Sequence, residues 1–264
     1  MATAKKSAPA KKTTEVAVRK TTAVGAVIDV KQKLAEMMAA QEGKTAPVGG
    51  NKIRVTQDKQ FVLPDGTKTR GPLELVVVDF TSRNEYYEGE YDKNNIVPPT
   101  CFAIGDIPLK LVPSDNSPVK QADSCAECPA NAFGSKGAGK ACKNTRLLAV
   151  LPPDADADTP LWTLAVSPTA IKSWDGYVKD IQRTFGAPPV AVVTTVEFNE
   201  GSDYAQLSFG EPQPNDNIEA HLARVDEAKQ LLAEEPDVSQ YGQEKPAKPA
   251  AKKPAVKKPA VARR

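Results

Sequence analysis

Four cysteines carry most of the chemistry this sequence offers. They fall as Cys101-x23-Cys125-x2-Cys128-x13-Cys142, so every cysteine of the 264-residue chain lies within one stretch of 42 residues. A C-x2-C pair supplies two ligands from one tight turn, and flanking segments add two more at variable spacing. That is the pattern of a tetrahedral thiolate site with sulfur–metal distances of about 2.3 Å. The stretch is rich in Gly, Pro, Asn and Ser and offers little to an apolar core, so a structural Zn2+ is the expected means of holding it. An iron–sulfur cluster, which also takes four cysteines, is the second candidate, and a turn with unbridged thiols the third. No secretion signal accompanies the cysteines, which favours metal over disulfides. His221 lies far along the chain in a helical pattern and reads as a surface residue, not as a ligand.

Inside the same stretch, "GSKGAGKAC" matches the G-x-x-x-x-G-K part of a phosphate-binding loop through Gly134, Gly139 and Lys140. Three features argue against nucleotide binding. Ala141 stands where a hydroxyl should hold Mg2+, "CPANAF" is not the apolar strand such a loop leaves, and "ACKNTR" is a poor helix start. What remains is charge. From Pro129 to Pro153 there is no acid, while Lys136, Lys140, Lys143 and Arg146 are basic. These four are candidate phosphate contacts, and glycines at 134, 137 and 139 let backbone approach an anion. Tyr86, Tyr87 and Tyr91 in "NEYYEGEY", with Phe133 beside the glycines, are candidate stacking platforms for unpaired bases. A single histidine leaves no Ser-His or Cys-His arrangement, and Asp79, Asp106 and Asp115 lack metal-ligand spacing, so no catalytic residue is expected.

The elements that must position these residues read as follows. "IRVTQ" and "FVLPDG" form a short antiparallel pair turned by Pro64-Asp65-Gly66. "LELVVVDF" (73–80) is the strongest strand, followed after the cysteine segment by strands at 146–151 and 161–166. Ser167 as N-cap, Pro168 at the first helical position and Gly186 at the end frame a helix, with Ile171, Trp174, Val178, Ile181 and Phe185 on one buried face. Strands at 190–198 and 204–210 and an acidic helix at 217–235 complete the body. Strand, cysteine insert, strand, strand, helix, strand, strand is the order of an OB-fold. The expectation is therefore a mainly β protein, an OB-fold-like β-barrel with one packed helix, a four-cysteine zinc insertion and disordered basic termini. Its parts are 1–50 (basic arm, a short helix at 29–43 and a linker), 51–212 (barrel, with the insertion at 101–145), 213–238 (acidic helix) and 239–264 (Lys/Pro/Ala-rich tail).

Charge is segregated along this plan. Of the net +2, residues 1–20 hold +5 and residues 245–264 hold +8, which leaves −11 for the body. Arms with so little to bury cannot offset the entropy of ordering, and their lysines suit phosphate. With 40% apolar residues the body can fold, and no apolar run is long enough to span a membrane.

At "LPDGTKTRGPLELVVVDF", "VPPTCFAIGD" and "CAECPANAFGSKGAGKACKNTRLLAVL" the chain looks like proteins of tailed bacteriophages. Over roughly 53–210 its design resembles phage single-stranded DNA-binding proteins of the T-even type, in which an OB-fold carries a zinc-bearing insertion. It differs in using four Cys where that type includes a His. It also ends in a basic tail, where many single-strand binders end in an acidic one. The resemblance implies a non-enzymatic, single-stranded DNA-binding protein of phage replication or recombination. It implies other replication proteins as partners and the cytoplasm of an infected bacterial host as its location. The rival reading is a virion or DNA-packaging protein that holds duplex DNA through its basic tails.

Overall fold

The computed structural model describes residues 50–242, apart from 91, 93 and 94, together with 33, 34 and 37. The two basic arms and Tyr91 lie outside the described residues. Of the expected helix at 29–43, only Lys33, Leu34 and Met37 are described, and all three are helical.

The body is mainly β: one curled, half-barrel sheet with three helices among the described residues. Its strands are β1 (Lys52–Val55), β2 (Phe61–Val62), β3 (Lys68–Thr69), β4 (Leu73–Tyr86), β5 (Cys101–Gly105), β6 (Cys142–Leu151), β7 (Trp162–Val166), β8 (Val192–Phe198), β9 (Leu207–Phe209) and β10 (Gln213–Pro214). The helices are α1 (Ile171–Phe185), α2 (Ile218–Leu222) and α3 (Val225–Ala233). Across the sheet the order is β10-β8-β4-β6-β7-β1-β2-β3, with β5 added to β4 and β9 to β8. The β1–β7 pair is parallel and the other pairs are antiparallel.

The apolar runs of β4 and β6 are explained by cover on both faces, which leaves no polar side to alternate with. On the inner face Leu75, Val77, Leu148, Val150 and Leu164 pack with Trp174, Tyr177 and Ile181 of α1. On the outer face Val78, Leu147, Ala149 and Leu151 pack with Ala228 and Leu232 of α3. Each Val, Leu or Ile among them contributes roughly 1.5–3 kcal/mol when fully buried. A register shift between Val77 and Asp79 marks a bulge in β4.

Several expectations change. The α1 N-cap is Ala170, with no side-chain cap; the Ser167 hydroxyl instead meets that of Thr169 at 3.0 Å. Phe185 is exposed, and Tyr177 takes its place in the core. The acidic helix is two pieces, α2 and α3, broken at 223–224. At the expected start of the tail, Ser239–Gly242 form a 3-10 turn, and the Tyr241 hydroxyl donates to the Pro98 carbonyl at 2.9 Å.

His221 is fully buried, not a surface residue. Its Nδ1 meets Asn215 Nδ2 at 3.0 Å and its Nε2 meets the Pro152 carbonyl at 3.2 Å. The amide donates to Nδ1, so Nε2 carries the proton and donates to the carbonyl. Replacing His221 by Ala would remove one hydrogen bond from each partner, leaving Asn215 Nδ2 on the Val190 carbonyl and the Ala155 N–H on the Pro152 carbonyl, and would open a cavity. An expected loss of about 2–4 kcal/mol should appear as a lower midpoint in urea unfolding.

Candidate metal centre and nucleic-acid interface

The two longest strands outrun their apolar runs. β4 and β6 stay paired from Val76 opposite Leu151 to Tyr86 opposite Cys142, through "TSRNEY" and "CKNTR", which are polar yet largely buried. β5 joins the other side of β4, with Cys101 also opposite Tyr86. Residues directly opposite in a ladder share a face, so Cys101, Tyr86 and Cys142 stand abreast on the inner face. Cys125 and Cys128 come from the intervening loop. There the Cys125 N–H donates to the Leu111 carbonyl at 3.0 Å, and Asn131 ties the C-x2-C turn by donating Nδ2 to the Cys125 carbonyl at 2.7 Å.

All four thiols are free, buried, and line a single cavity of about 10 Å³, room for one water-sized sphere. Burial, together with the neighbouring thiols, raises the pKa of Cys125 and pushes that of Cys142 up to about 12. Asn84 opposes the rise at Cys125 and Lys140 opposes it at Cys142. Without a cation Cys125 and Cys142 therefore favour the neutral thiol, and a divalent ion would reverse that balance. Among the described residues, no three His, Cys, Asp or Glu side chains already stand at ligand spacing. The donors are gathered around one cavity but not drawn onto a common centre. Their softness and number suit Zn2+, and the cavity is small for a cluster.

The glycine loop is a tight hairpin. The Gly139 N–H donates to the Lys136 carbonyl at 3.0 Å, and the Gly134 N–H donates to the Gly139 carbonyl at 2.8 Å. Gly137 holds φ +60° at the first corner of the turn, a conformation that favours glycine. These N–H groups point into the hairpin, and the chain leaves it into β6 instead of a helix, so the arrangement does not form a phosphate cradle of the nucleotide-binding kind.

The expected nucleic-acid residues divide between the two faces. Tyr86 lines the thiol chamber. Phe133 is 82% exposed, with the Lys140 ammonium 4.9 Å from its ring centroid. Lys140 also donates to Oδ1 of Asn131 and of Asn144, each at 3.2 Å. Lys136 is exposed at the hairpin tip. On the outer face Lys143 is exposed opposite Glu85, and Tyr87 is exposed beyond it, its hydroxyl donating to Glu85 at 3.0 Å. Arg146 does not reach the surface: it is 8% exposed and bonded at 3.1 Å to Asp175, a half-exposed residue of α1, so its charge is already paired.

The N-terminal hairpin adds cations that no motif marks in the sequence. The register places Lys52 level with Thr163, Arg54 opposite Val62 and Val62 opposite Lys68, which puts Lys52, Arg54 and Lys68 on the outer face with Lys143. All four are exposed. The contiguous half-sheet β6-β7-β1-β2-β3 contains no acidic residue, whereas β4 carries Glu74, Asp79 and Glu85. A count of acids per strand shows the bias in the sequence, but only the strand order makes it one surface. Across the sheet Lys143 and Lys68 lie roughly 20 Å apart by strand spacing and rise, a span of a few nucleotides.

Compared with family models, curated proteins and solved structures, the chain matches none.

Proposed function

We propose that this protein binds single-stranded DNA, without catalysis, on the outer face of β7 and β1–β3 and at the Lys143 end of β6, beyond the part of β6 that α3 covers, in the replication or recombination of phage DNA. The observation that carries the reading is the acid-free half-sheet, with Lys143, Lys52, Arg54 and Lys68 exposed on one face of a body whose net charge is negative. Phosphates pair with these cations and Tyr87 stacks a base on that face; Lys136 and Phe133, on the cysteine insertion, take the next phosphate and base beyond the edge of the face. The pairing order β7-β6-β4-β8-β9, with α1 between β7 and β8, supports an OB-type barrel in which these are strands three, two, one, four and five. Barrels of that kind bind oligonucleotides on strands two and three and on the loops after strands one and four. Here the first of those loops is the cysteine insertion, and the second, 199–206, carries Tyr204, 52% exposed.

The same reading assigns one structural Zn2+ to Cys101, Cys125, Cys128 and Cys142. Their convergence on one small cavity supports it. The metal would lock the insertion that presents Phe133 and Lys136.

Fluorescence anisotropy on single- and double-stranded oligonucleotides over a salt series tests the proposal. The expected result is a single-strand preference with strong salt dependence. Exchanging Lys52, Arg54 and Lys68 together for Ala should flatten the log–log salt slope by about 2, and Phe133→Ala should weaken binding by about 1–3 kcal/mol at every salt. Equal affinity for duplex, or no salt dependence, would sink it. Loss of all binding on deleting 1–20 and 245–264 would favour a duplex-holding protein that works through its tails.

A further inference from the structure

Lys140 stands where the sequence invites a phosphate contact, yet its surroundings are those of the thiol chamber. It is only half-buried, but its ammonium donates inward, to Asn131 and to Asn144. Asn131 holds the C-x2-C turn through the Cys125 carbonyl. Asn144, two residues from Cys142, donates to Asn84 Oδ1 at 2.6 Å, and Asn84 lines the chamber beside Cys125. Lys140, Asn144, Asn84, Cys125 and Asn131 thus form a closed polar circuit, with the Phe133 ring against the same ammonium.

Electrostatics supplies the reason for such a circuit. Four thiolates around a divalent ion carry a net charge of −2, and a buried charge of that size is costly unless it is compensated. The neighbouring cations are otherwise placed. Lys136 is exposed at the hairpin tip, Lys143 is on the opposite face, and Arg146 is paired with Asp175.

We infer that Lys140 is the counter-charge and positioning residue of the metal-thiolate centre, and that through its contact with Phe133 it couples metal binding to the pose of the exposed ring. Phosphate recognition in the hairpin then falls to Lys136. The inference rests on the zinc reading. It predicts that metal affinity, not the salt slope of DNA binding, is what Lys140 controls.

The test uses the full chain as wild type, Lys140→Met, Lys140→Arg and Lys136→Met. Zn2+ affinity is measured by competition with a chromophoric chelator, Co2+ spectra report the thiolate environment, and DNA-binding salt slopes are taken on the metal-loaded forms. Lys140→Met should bind Zn2+ at least about tenfold more weakly with a shifted Co2+ spectrum, Lys140→Arg should bind it more tightly than Lys140→Met, and Lys136→Met should match wild type. The salt slope should hold in Lys140→Met and fall by about 0.7 in Lys136→Met. Unchanged Zn2+ affinity in Lys140→Met, the reverse order of the two Lys140 variants, or a slope loss in Lys140→Met like that of Lys136→Met each overturns the assignment to Lys140 alone. A wild type that takes up neither Zn2+ nor Co2+ overturns the zinc reading along with it.

Discussion

Exchanging Cys128 for Ser is expected to empty the metal site while leaving the sheet standing. Wild-type protein should carry about one zinc per chain by elemental analysis, and the variant close to none, because three soft ligands and a hydroxyl do not make a closed tetrahedral site. Structural zinc contributes on the order of 10 kcal/mol to the folding of an isolated zinc-finger peptide. In this protein the effect should stay local. The inner and outer cores close around α1 and α3 without using a cysteine. Among the described residues the insertion has one small apolar cluster of its own, Ala103, Leu111 and Cys125. Hydrogen exchange should therefore show lost protection over 101–142, with β6 beyond Leu147 still protected, and proteases should cut first in 106–141. Full zinc content in Cys128→Ser would refute a four-cysteine site, and a coloured, iron-bearing wild type would replace zinc with a cluster.

The second large effect lies at Trp174. The indole is fully buried against Phe80, Phe209 and Tyr177, with ring centroids 5.2, 5.0 and 5.9 Å away. Trp174→Ala should cost about 3–5 kcal/mol, enough to unfold a marginal domain at modest urea. Among the described residues its Nε1 is buried with no hydrogen-bond partner, however, a defect that carries a cost of about 1–3 kcal/mol. Trp174→Phe removes that group and keeps an aromatic ring in the slot, so its cavity penalty is partly offset. The phenylalanine variant should lie within about 2 kcal/mol of wild type. Equilibrium urea unfolding followed by circular dichroism measures both. A Phe variant as damaged as the Ala variant would show that indole volume alone governs the site.

Much of this was readable from residue order. Apolar runs mark "LELVVVDF", with its β-branching, and "RLLAVL", and the three- and four-residue steps of Ile171, Trp174, Val178 and Ile181 mark α1, because each pattern follows from which faces must be buried. The cysteine set was legible for a similar reason, since ligand type and spacing are local properties. The polar halves of β4 and β6 were not. "TSRNEY" has no strand pattern of its own and becomes a strand because "CKNTR" and β5 lie on either side of it, supplying ladder hydrogen bonds that no local propensity predicts. His221 was misread because its burial depends on Asn215 and Pro152, which only the fold brings to it.

Arg146 and Lys143 show the division most plainly. Three positions apart on one strand, both are basic residues in an acid-free stretch, and composition treats them alike. The pleat sends Arg146 inward to Asp175 and Lys143 outward beside the hairpin cations of β1 and β3. The sequence by itself determined the apolar strands, α1, the four thiols and the segregation of charge, since these depend on residue identity and short-range spacing. The tertiary structure decided which thiols share a cavity, which cations share a face and that Lys140 turns toward the chamber, since those depend on strand register between residues far apart in the chain.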